Sequence, residues 1–314
     1  GHPTFFEVVV VVALLCFAEA NCDLVIWETG LGGRLDATNI VSPIASVITT
    51  VHLDHQEWLG ETTAAIAAEK AGIIKQGAPV VTGVDDEEAF EVIRQAASAQ
   101  GGELIRTTQA DLGRSPVRNL NLTLLGEHQR RNAAVAAATV EALQSAIPVT
   151  EAALISGLES ARFPGRFQEV HADDGGVVIL DGAHNEAGVD ALLATLRSRF
   201  PDQRPMFILG MLADKAWPAM CGMLAKEAEC IHLAALASER SADAELLAAA
   251  CESGNPGIPA LIAANAAEAL ELSRDSRLRV VTGSLRFLGE AMQALGLTDH
   301  KAIDEKGLND YSAA

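Results

Sequence analysis

A chain of 314 residues is long enough to form two domains, each with a buried core. Apolar residues make up 49% of the sequence and charged residues 21%, a composition that is typical of globular proteins and excludes an intrinsically disordered chain. The formal net charge of −19 argues against nucleic acid or an anionic membrane as a partner, because both would be repelled.

The five cysteines are odd in number and show no C-x-x-C spacing. This pattern predicts reduced thiols in a cytoplasmic protein rather than a disulfide framework or a zinc site. The longest apolar run, Val8 to Ala18, is too short to span a bilayer, and no basic segment precedes it. We predict a buried helix over 8–21, although the five consecutive valines would also suit a strand.

The first half of the chain alternates short β-rich runs with segments of helical periodicity. Strands are predicted over 24–27, 45–51, 79–82, 104–107 and 120–124. Helices are predicted over 62–74, 85–100, 127–143 and 151–158. A glycine-rich loop, 29–39, separates the first two predicted strands.

The Pro-Gly step within 161–166 (ARFPGR) is the best candidate for a domain boundary. Beyond it the alternation resumes, with strands predicted over 177–180, 206–209, 230–236 and 279–282. The helices predicted to follow these strands cover 188–197, 217–225 and 242–251, with a last one from 285. This spacing indicates an α/β fold whose mostly parallel sheet carries helices on both faces, followed by a polar tail over 300–314.

Polar side chains stand at the ends of the first two predicted strands. Glu28 ends one strand, and Asp54 and His55 follow the next. Ligands bind at the C-terminal ends of strands in open α/β sheets, and a carboxylate there can ligate a hard cation such as Mg²⁺. Glu28 could instead cap the amides of its own loop, and a lone histidine is more often structural. Lys70 lies on the next predicted helix, where most lysines are solvated surface charges.

A second polar cluster follows the predicted strand 177–180, in the sequence LDGAHN that ends at Asn185. Thr282-Gly283-Ser284 occupies the same position after the last strand. These groups predict a nucleotide or substrate edge, or alternatively the N-caps of two helices. No G-x-x-x-x-G-K-[ST] loop occurs in the sequence, and GLGG at 30–33 lacks the spacing of a dinucleotide-binding loop.

Several longer motifs occur together and in order. They are ETGLGGRLDATN at 28–39, LDHQEWLGETTAAIAAEKAGIIK at 53–75, GEHQRRNAAVA at 126–136, PGRF at 164–167, LDGAHN at 180–185, GMLADKAW at 210–217 and TGSL at 282–285. Taken together, this set resembles the folylpolyglutamate synthase/dihydrofolate synthase family of the Mur ligase superfamily. The resemblance implies a central ATPase domain that binds the pterin, over 1–162, and a smaller Rossmann-like glutamate-ligase domain, over 163–299.

The resemblance also implies roles for particular residues. Glu28 and His55 resemble two Mg²⁺ ligands, and Lys70 resembles a lysine that reacts with CO₂ to form a carbamate, which requires a neutral amine. The residues that resemble the pterin-binding segments are Thr4, Phe5, Phe6, Glu7, Leu35, Asp36 and Ala37. The residues that resemble ATP contacts are Asn132, Arg166 and Asp181. His184 and Ser284 resemble residues around the glutamate.

The implied activity is an ATP-dependent ligase, requiring Mg²⁺, that adds L-glutamate to dihydropteroate, to folate or to both through an acyl phosphate. The implied state of the full-length protein is a monomer. The sequence departs from the family pattern at Glu186, where a proline is usual. It also lacks the family's Gly-Lys-Ser phosphate loop, which predicts that this chain alone is inactive and exposes hydrophobic surface. Two alternatives are a non-catalytic chain that retains partial pterin or nucleotide binding, and a Mur-type ligase for another amino acid.

Overall fold

The computed structural model describes residues 2–298, which divide into two compact units. The first unit contains the chain up to Leu120 together with Arg131–Ser156, and the second contains Asn121–Arg130 and the chain from Gly157 onward. The predicted tail, 300–314, lies outside the described residues. No helix within 2–298 is long and apolar enough to cross a membrane.

The first unit is built on a small parallel sheet. Its strands β1 (Ser46–Ile48), β2 (Val80–Thr82) and β3 (Leu104–Arg106) lie in that order, with Ser46 opposite Val80 and Val80 opposite Leu104. The helices of this unit are α1 (Phe5–Glu19), α2 (Gln56–Leu59), α3 (Thr63–Ala71), α4 (Glu87–Ala99), α5 (Glu127–Ala142) and α6 (Glu151–Ser160). The first turn of α5 and the last turn of α6 belong to the second unit. Short 3₁₀ turns cover Ala37–Ile40, Gln109–Gly113 and Val117–Asn119.

The core of the first unit lies between this sheet and helices α3 and α4. Ile66 of α3 and Ile93 of α4 are buried against Val80 of β2. Both helices begin at side-chain caps, since Thr62 accepts a hydrogen bond from the Ala65 N–H and Asp86 accepts one from the Ala89 N–H. The segment that contains Lys70 is therefore fixed at its start by a cap and along one face by the core.

The second unit contains a six-stranded sheet in the order β4-β5-β9-β6-β7-β8. Its strands are β4 (Gln168–His171), β5 (Val177–Leu180), β6 (Met206–Leu209), β7 (Cys230–Ala234), β8 (Ala260–Ala263) and β9 (Leu278–Thr282). Strand β4 is antiparallel to β5, and the other neighbours are parallel. The helices are α7 (Glu186–Arg199), α8 (Trp217–Glu227), α9 (Ala244–Gly254), α10 (Ala266–Glu271) and α11 (Leu285–Ala294).

Alternate residues along these strands enter two different apolar clusters. Ile179 packs with residues of α7, α8 and α9, whereas Val178 and Leu180 pack with residues of α10 and α11. Successive side chains of a strand point to opposite faces, so helices cover both faces of the sheet. The predicted α/β architecture with a mostly parallel sheet is confirmed.

Two predicted strands are wrong. Residues 24–27 and 120–124 are irregular, and within the described residues no strand pairs with either segment. Leu24, Val25 and Ile26 are exposed, Ile26 to 86%. An apolar run forms a buried strand only where a neighbouring strand supplies hydrogen bonds, and β1 pairs here with β2 alone.

The helix predicted over 8–21 forms as α1, but it is not buried as predicted. Val10 is its single buried residue, while most of its large apolar side chains are exposed. The prediction of exposed hydrophobic surface is confirmed at this helix. The prediction also missed β4, β8 and α10. Strand β4 carries polar residues, and three of the four residues of β8 are exposed at the sheet edge.

Candidate functional site

In the first unit, the glycine-rich loop is held against the last turn of α3. The Arg34 N–H donates to the Glu69 carbonyl at 2.7 Å, and the Arg34 guanidinium pairs with the Glu69 carboxylate at 2.8 Å. A Cβ placed on Gly33 would lie 2.8 Å from the Glu69 carbonyl oxygen and 3.0 Å from that of Lys70. Only glycine allows this approach, so the loop is seated directly beside Lys70.

The two segments predicted to bind the pterin meet at this loop. A Cβ on Gly30 would lie 2.4 Å from the Phe6 ring and 3.2 Å from the Asp36 carboxylate. Burial acts to raise the pKa of Asp36, but hydrogen bonds from Thr38, Leu31 and Gly30 outweigh it, and the pKa is lowered. Asp36 is therefore an anion that organises the loop.

Thr4 and Glu7 form a capping box at the start of α1. The Thr4 N–H donates to Glu7 Oε2 at 2.6 Å, and the Glu7 N–H donates to Thr4 Oγ1 at 3.2 Å. Phe5 is exposed beside them, and Leu35 and Ala37 flank Asp36 in the loop. In this structure the polar groups of the Thr4–Glu7 segment are thus engaged in capping.

Glu28 and His55 lie on irregular segments rather than at strand ends. His55 has a left-handed backbone (φ 51°) just before α2, a conformation that is uncommon outside glycine and frequent at functional sites. Its N–H donates to Asp54 Oδ1 at 2.8 Å, and its Nε2 lies 3.8 Å from the same oxygen. Glu28 is exposed on the segment that leads into the glycine loop.

Lys70 is half-buried at the end of α3. Burial lowers the pKa of its amine, and the negative charge of Asp54 opposes that shift without cancelling it. A lowered pKa increases the fraction of neutral, nucleophilic amine at a given pH. The direction of this shift is the one that carbamate formation requires.

The magnesium expectation stays a prediction. Among residues 2–298 no group of three or more His, Cys, Asp or Glu side chains is placed to hold a metal ion. Glu28 and His55 together supply one carboxylate and one imidazole, and Mg²⁺ prefers an octahedral shell of oxygen ligands. Mg²⁺ in nucleotide sites is usually held by one or two carboxylates together with water and phosphate oxygens, so this small donor set neither confirms nor contradicts the expected site.

The second unit carries a polar edge where β5 and β9 end. Asp181 follows β5 and is buried, and its two oxygens accept hydrogen bonds from the Phe167 N–H and the Ala183 N–H, each at 2.9 Å. Burial raises the pKa of Asp181, although these two hydrogen bonds and the charges of Arg166 and His184 act to lower it. Its carboxyl is a rigidly held group in a poorly solvated position.

Arg166 lies beside Asp181 because the chain turns sharply at the PGRF motif. Gly165 and Phe167 both have positive φ values, and the Gly182 N–H donates to the Gly165 carbonyl at 2.9 Å. The Arg166 guanidinium packs over the Phe163 ring at 5.4 Å, and a Cβ on Gly182 would lie 2.9 Å from its Nη1. This turn places a cation directly against the end of β5.

His184 and Ser284 occupy adjacent turns of the same edge. His184 Nδ1 donates to the Gly182 carbonyl at 2.8 Å, and buried Ser284 caps α11 by accepting from the Arg286 N–H at 3.2 Å. The Gly283 N–H donates to the Ala183 carbonyl at 3.0 Å, which joins the two turns. The second unit thus brings together Arg166, Asp181, His184 and Ser284, all predicted from the sequence.

Asn132, the remaining predicted ATP contact, lies on α5 in the first unit and is exposed. Sequence reasoning missed its neighbour Arg131, which pairs with Asp85 and donates to Gln109 at 3.1 Å. It also missed His128, whose buried Nδ1 has no hydrogen-bond partner among the described residues. Both lie inside the GEHQRRNAAVA motif, so the motif itself was the available signal.

Comparison with known families and proteins points to one group. A family model described as the Mur ligase glutamate ligase domain matches residues 165–285. The dihydrofolate synthase/folylpolyglutamate synthase of Bacillus subtilis is 38% identical over 275 residues, which cover 81% of this chain and 64% of the relative. The Escherichia coli protein of the same name is 34% identical over 304 residues, covering 93% of this chain and 69% of the relative.

A solved structure is similar over most of the chain. E. coli FolC in complex with DHPP and ADP superposes with a TM-score of 0.82 at 31% sequence identity, covering 94% of this chain and 72% of that one. The chain therefore spans about two thirds of the length of these relatives.

Proposed function

The chain belongs to the folylpolyglutamate synthase/dihydrofolate synthase family, and on this premise we propose that the protein is an ATP-dependent ligase. It joins L-glutamate to dihydropteroate, to a folate, or to both. The nucleotide part of this proposal is supported by the ADP bound in the similar E. coli structure. Because the chain spans only part of its relatives, the activity is proposed for the whole protein.

The proposed reaction has two displacements. A carboxylate oxygen of the pterin substrate attacks the γ-phosphorus of ATP, the bond from that phosphorus to the bridging oxygen breaks, and ADP leaves. The amine nitrogen of glutamate then attacks the acyl carbon of the acyl phosphate. Inorganic phosphate leaves as the amide forms, and the amine loses its proton to solvent.

The observation that supports this proposal best is the polar edge of the second unit. Arg166 places a cation beside the end of β5, where negative charge on phosphoryl oxygens would be stabilised. Asp181 is held by two backbone N–H groups, so its carboxyl has a defined orientation for a hydroxyl of the nucleotide. His184 and Ser284 are the proposed contacts of glutamate on the neighbouring turns.

Residues of the first unit form the proposed pterin-binding site. The loop from Gly30 to Asp36 and the ring of Phe6 are in contact, and an aromatic ring beside a loop suits a flat heterocycle. Lys70 is proposed to carry a carbamate, which replaces a cation with an anion beside this loop. Mg²⁺, expected from the resemblance, would neutralise phosphate charge when bound.

The test is ADP release by the full-length protein. We expect release to require both glutamate and a pterin acid, and Arg166→Ala to lower the rate by at least roughly tenfold, the loss expected for a hydrogen bond to a charged group. Arg197→Ala is the matched control, because it removes an exposed guanidinium on α7, away from the polar edge. ADP release that does not depend on the pterin acid would refute the proposal. Release that requires a different amino acid in place of glutamate would favour another Mur-type ligase.

A further inference from the structure

The turn at 164–167 (PGRF) has an unusual backbone. Gly165 and Phe167 have φ values of +74° and +42°, so Arg166 stands between two residues in the left-handed region. Glycine enters this region without steric cost, but a phenylalanine does so rarely, because its Cβ then comes close to a backbone carbonyl oxygen. Such conformations persist only where the surrounding structure holds them, and they concentrate at functional sites.

Two contacts hold Phe167 in this conformation. Strand β4 begins at Gln168, which lies opposite Leu180 at the end of β5, so Phe167 comes next to Asp181. The Phe167 N–H donates to Asp181 Oδ2 at 2.9 Å. The phenylalanine is 3% exposed and belongs to the apolar cluster that contains Ile179. Its amide is therefore held by a carboxylate and its ring by the core.

The backbone on the other side of Arg166 is closed as well. The Gly182 N–H donates to the Gly165 carbonyl at 2.9 Å, and the Gly165 N–H donates to Gln168 Oε1 at 3.0 Å. A Cβ on Gly165 would clash with the Leu288 side chain, and a Cβ on Gly182 would lie 2.9 Å from Arg166 Nη1. The turn is thus packed tightly, and it brings the Arg166 guanidinium against the residue that follows Asp181.

We propose that Phe167 is a positioning residue for Arg166, because its left-handed backbone turns the chain so that the guanidinium lies at the end of β5 before a nucleotide binds. A charge that is already in place needs no rearrangement when phosphoryl oxygens arrive, which favours electrostatic stabilisation. A negative φ at Phe167 would change the direction in which Arg166 leaves the turn. This role rests on the proposed function, because it assumes that Arg166 binds the nucleotide.

Two substitutions separate the effect of the backbone from that of the ring. Phe167→Ala and Phe167→Gly remove the same aromatic contacts, but only glycine adopts the left-handed backbone without strain. We expect the full-length Phe167→Ala protein to bind ADP roughly tenfold more weakly than Phe167→Gly, because a smaller fraction of its molecules holds Arg166 in the binding position. In the Arg166→Ala background the two substitutions should bind ADP equally.

The matched control is the same pair of substitutions at Phe200, which follows α7 and has a φ of −132°. Alanine is not strained there, so Phe200→Ala and Phe200→Gly should bind ADP equally. If Phe167 served only the core, Phe167→Gly would bind ADP no more tightly than Phe167→Ala. That result would overturn the positioning role.

A second measurement does not depend on a variant that folds. Hydrogen exchange at the Phe167 amide of the unsubstituted protein reports whether its bond to Asp181 exists before ADP binds, and we expect slow exchange that ADP changes little. Rapid exchange that slows only with ADP would overturn the role of Phe167 alone. An unaltered ADP affinity in Arg166→Ala, or no ADP binding at all, would overturn the nucleotide site and the inference together.

Discussion

At the scale of single residues, several candidate side chains owe their properties to burial. Lys70 and Asp181 were identified by sequence position, but the direction of their pKa shifts follows from how far each is removed from water. His128, by contrast, was not identified from the sequence. Its buried and unpaired Nδ1 is visible only in the structure. The pKa shifts of Lys70 and Asp181 each lead to a measurable consequence.

Lys70 is expected to react with CO₂. Its lowered pKa provides neutral amine, which attacks CO₂ to give a carbamate and a proton. We expect a carbamate carbon resonance in ¹³C-bicarbonate buffer that disappears in Lys70→Gln. Lys75→Gln is the control, because Lys75 is also half-buried and donates to the Asn39 carbonyl nearby. A carbamate signal that survives Lys70→Gln would contradict the assignment.

Asp181 is expected to make stability depend on pH. Its pKa is raised in the folded state above the ordinary value of 3.8, so the protonated carboxyl favours folding. That contribution is fully present below pH 3.8 and is lost as the pH rises through the folded pKa. The loss amounts to about 1.4 kcal/mol for each pH unit that separates the folded pKa from the unfolded pKa.

The comparison is between the parent and Asp181→Asn, whose amide does not titrate. The free energy of unfolding of the parent, relative to the variant, should fall in urea titrations as the pH rises from about 4 toward neutrality. Asp190→Asn changes an exposed carboxylate on α7 and serves as the control. A parent that gains stability over this range relative to Asp181→Asn would show that the shift has the opposite sign.

At the scale of elements, the ends of neighbouring parallel strands create the polar edge of the second unit. Strands β5, β9 and β6 lie side by side, so the turns after them meet even though they are far apart in the sequence. Glycines make these turns possible. Gly283 has a φ of +107°, and a Cβ there would lie 2.8 Å from Met211 Cγ and 2.9 Å from the Gly210 carbonyl oxygen.

Gly283→Ala is therefore expected to destabilise the second unit. The backbone strain and the clash with the Gly210 carbonyl together should lower the free energy of unfolding by about 1–3 kcal/mol. Gly289→Ala within α11 is the matched control, because its Cβ would meet nothing within 4 Å and alanine favours a helix by about 1 kcal/mol. Chemical denaturation of both variants measures the difference, and equal stability of the two would refute the strain argument.

At the scale of the whole molecule, most of the exposed large apolar side chains of the described residues lie on the first unit. We define the α1 patch by its exposed side chains, which are Phe5, Phe6, Val8, Val9, Val11, Val12, Leu15, Leu24, Val25 and Ile26. Clusters of exposed apolar side chains are rare on soluble monomers and promote association. The net charge of −19 opposes association by repulsion, but salt screens that repulsion.

This chain is accordingly expected to self-associate at moderate ionic strength. The double substitution Val12→Glu and Leu15→Glu should lower the mass measured by light scattering, and it should leave the melting temperature nearly unchanged because both side chains are more than half exposed. Leu246→Glu, at an exposed position on α9 in the other unit, is the control. If the parent is monomeric at all concentrations, the prediction that the α1 patch drives self-association is wrong.

Much of this protein follows from local sequence patterns. Periodicity located most helices and strands, because the alternation of apolar residues reflects which face of an element is buried. The sequence placed Asp181, His184 and Ser284 at strand ends, since each stands after a β-rich run, whereas Arg166 was identified only through the PGRF motif. The pairing of strands that are distant in the sequence could not be predicted in the same way. The apolar composition of 24–27 predicted a strand, but a strand exists only where a partner provides hydrogen bonds.

The sequence by itself determined the α/β class, the positions of the polar turns and the family motifs, because each depends on residues close together in the chain. Only the tertiary structure decided which side chains are removed from water and which neighbours they meet. The exposure of α1, the lowered pKa of Lys70 and the unpaired Nδ1 of His128 all depend on how the folded chain surrounds each group. Burial and electrostatic contact are properties of the folded chain, and local patterns do not encode them.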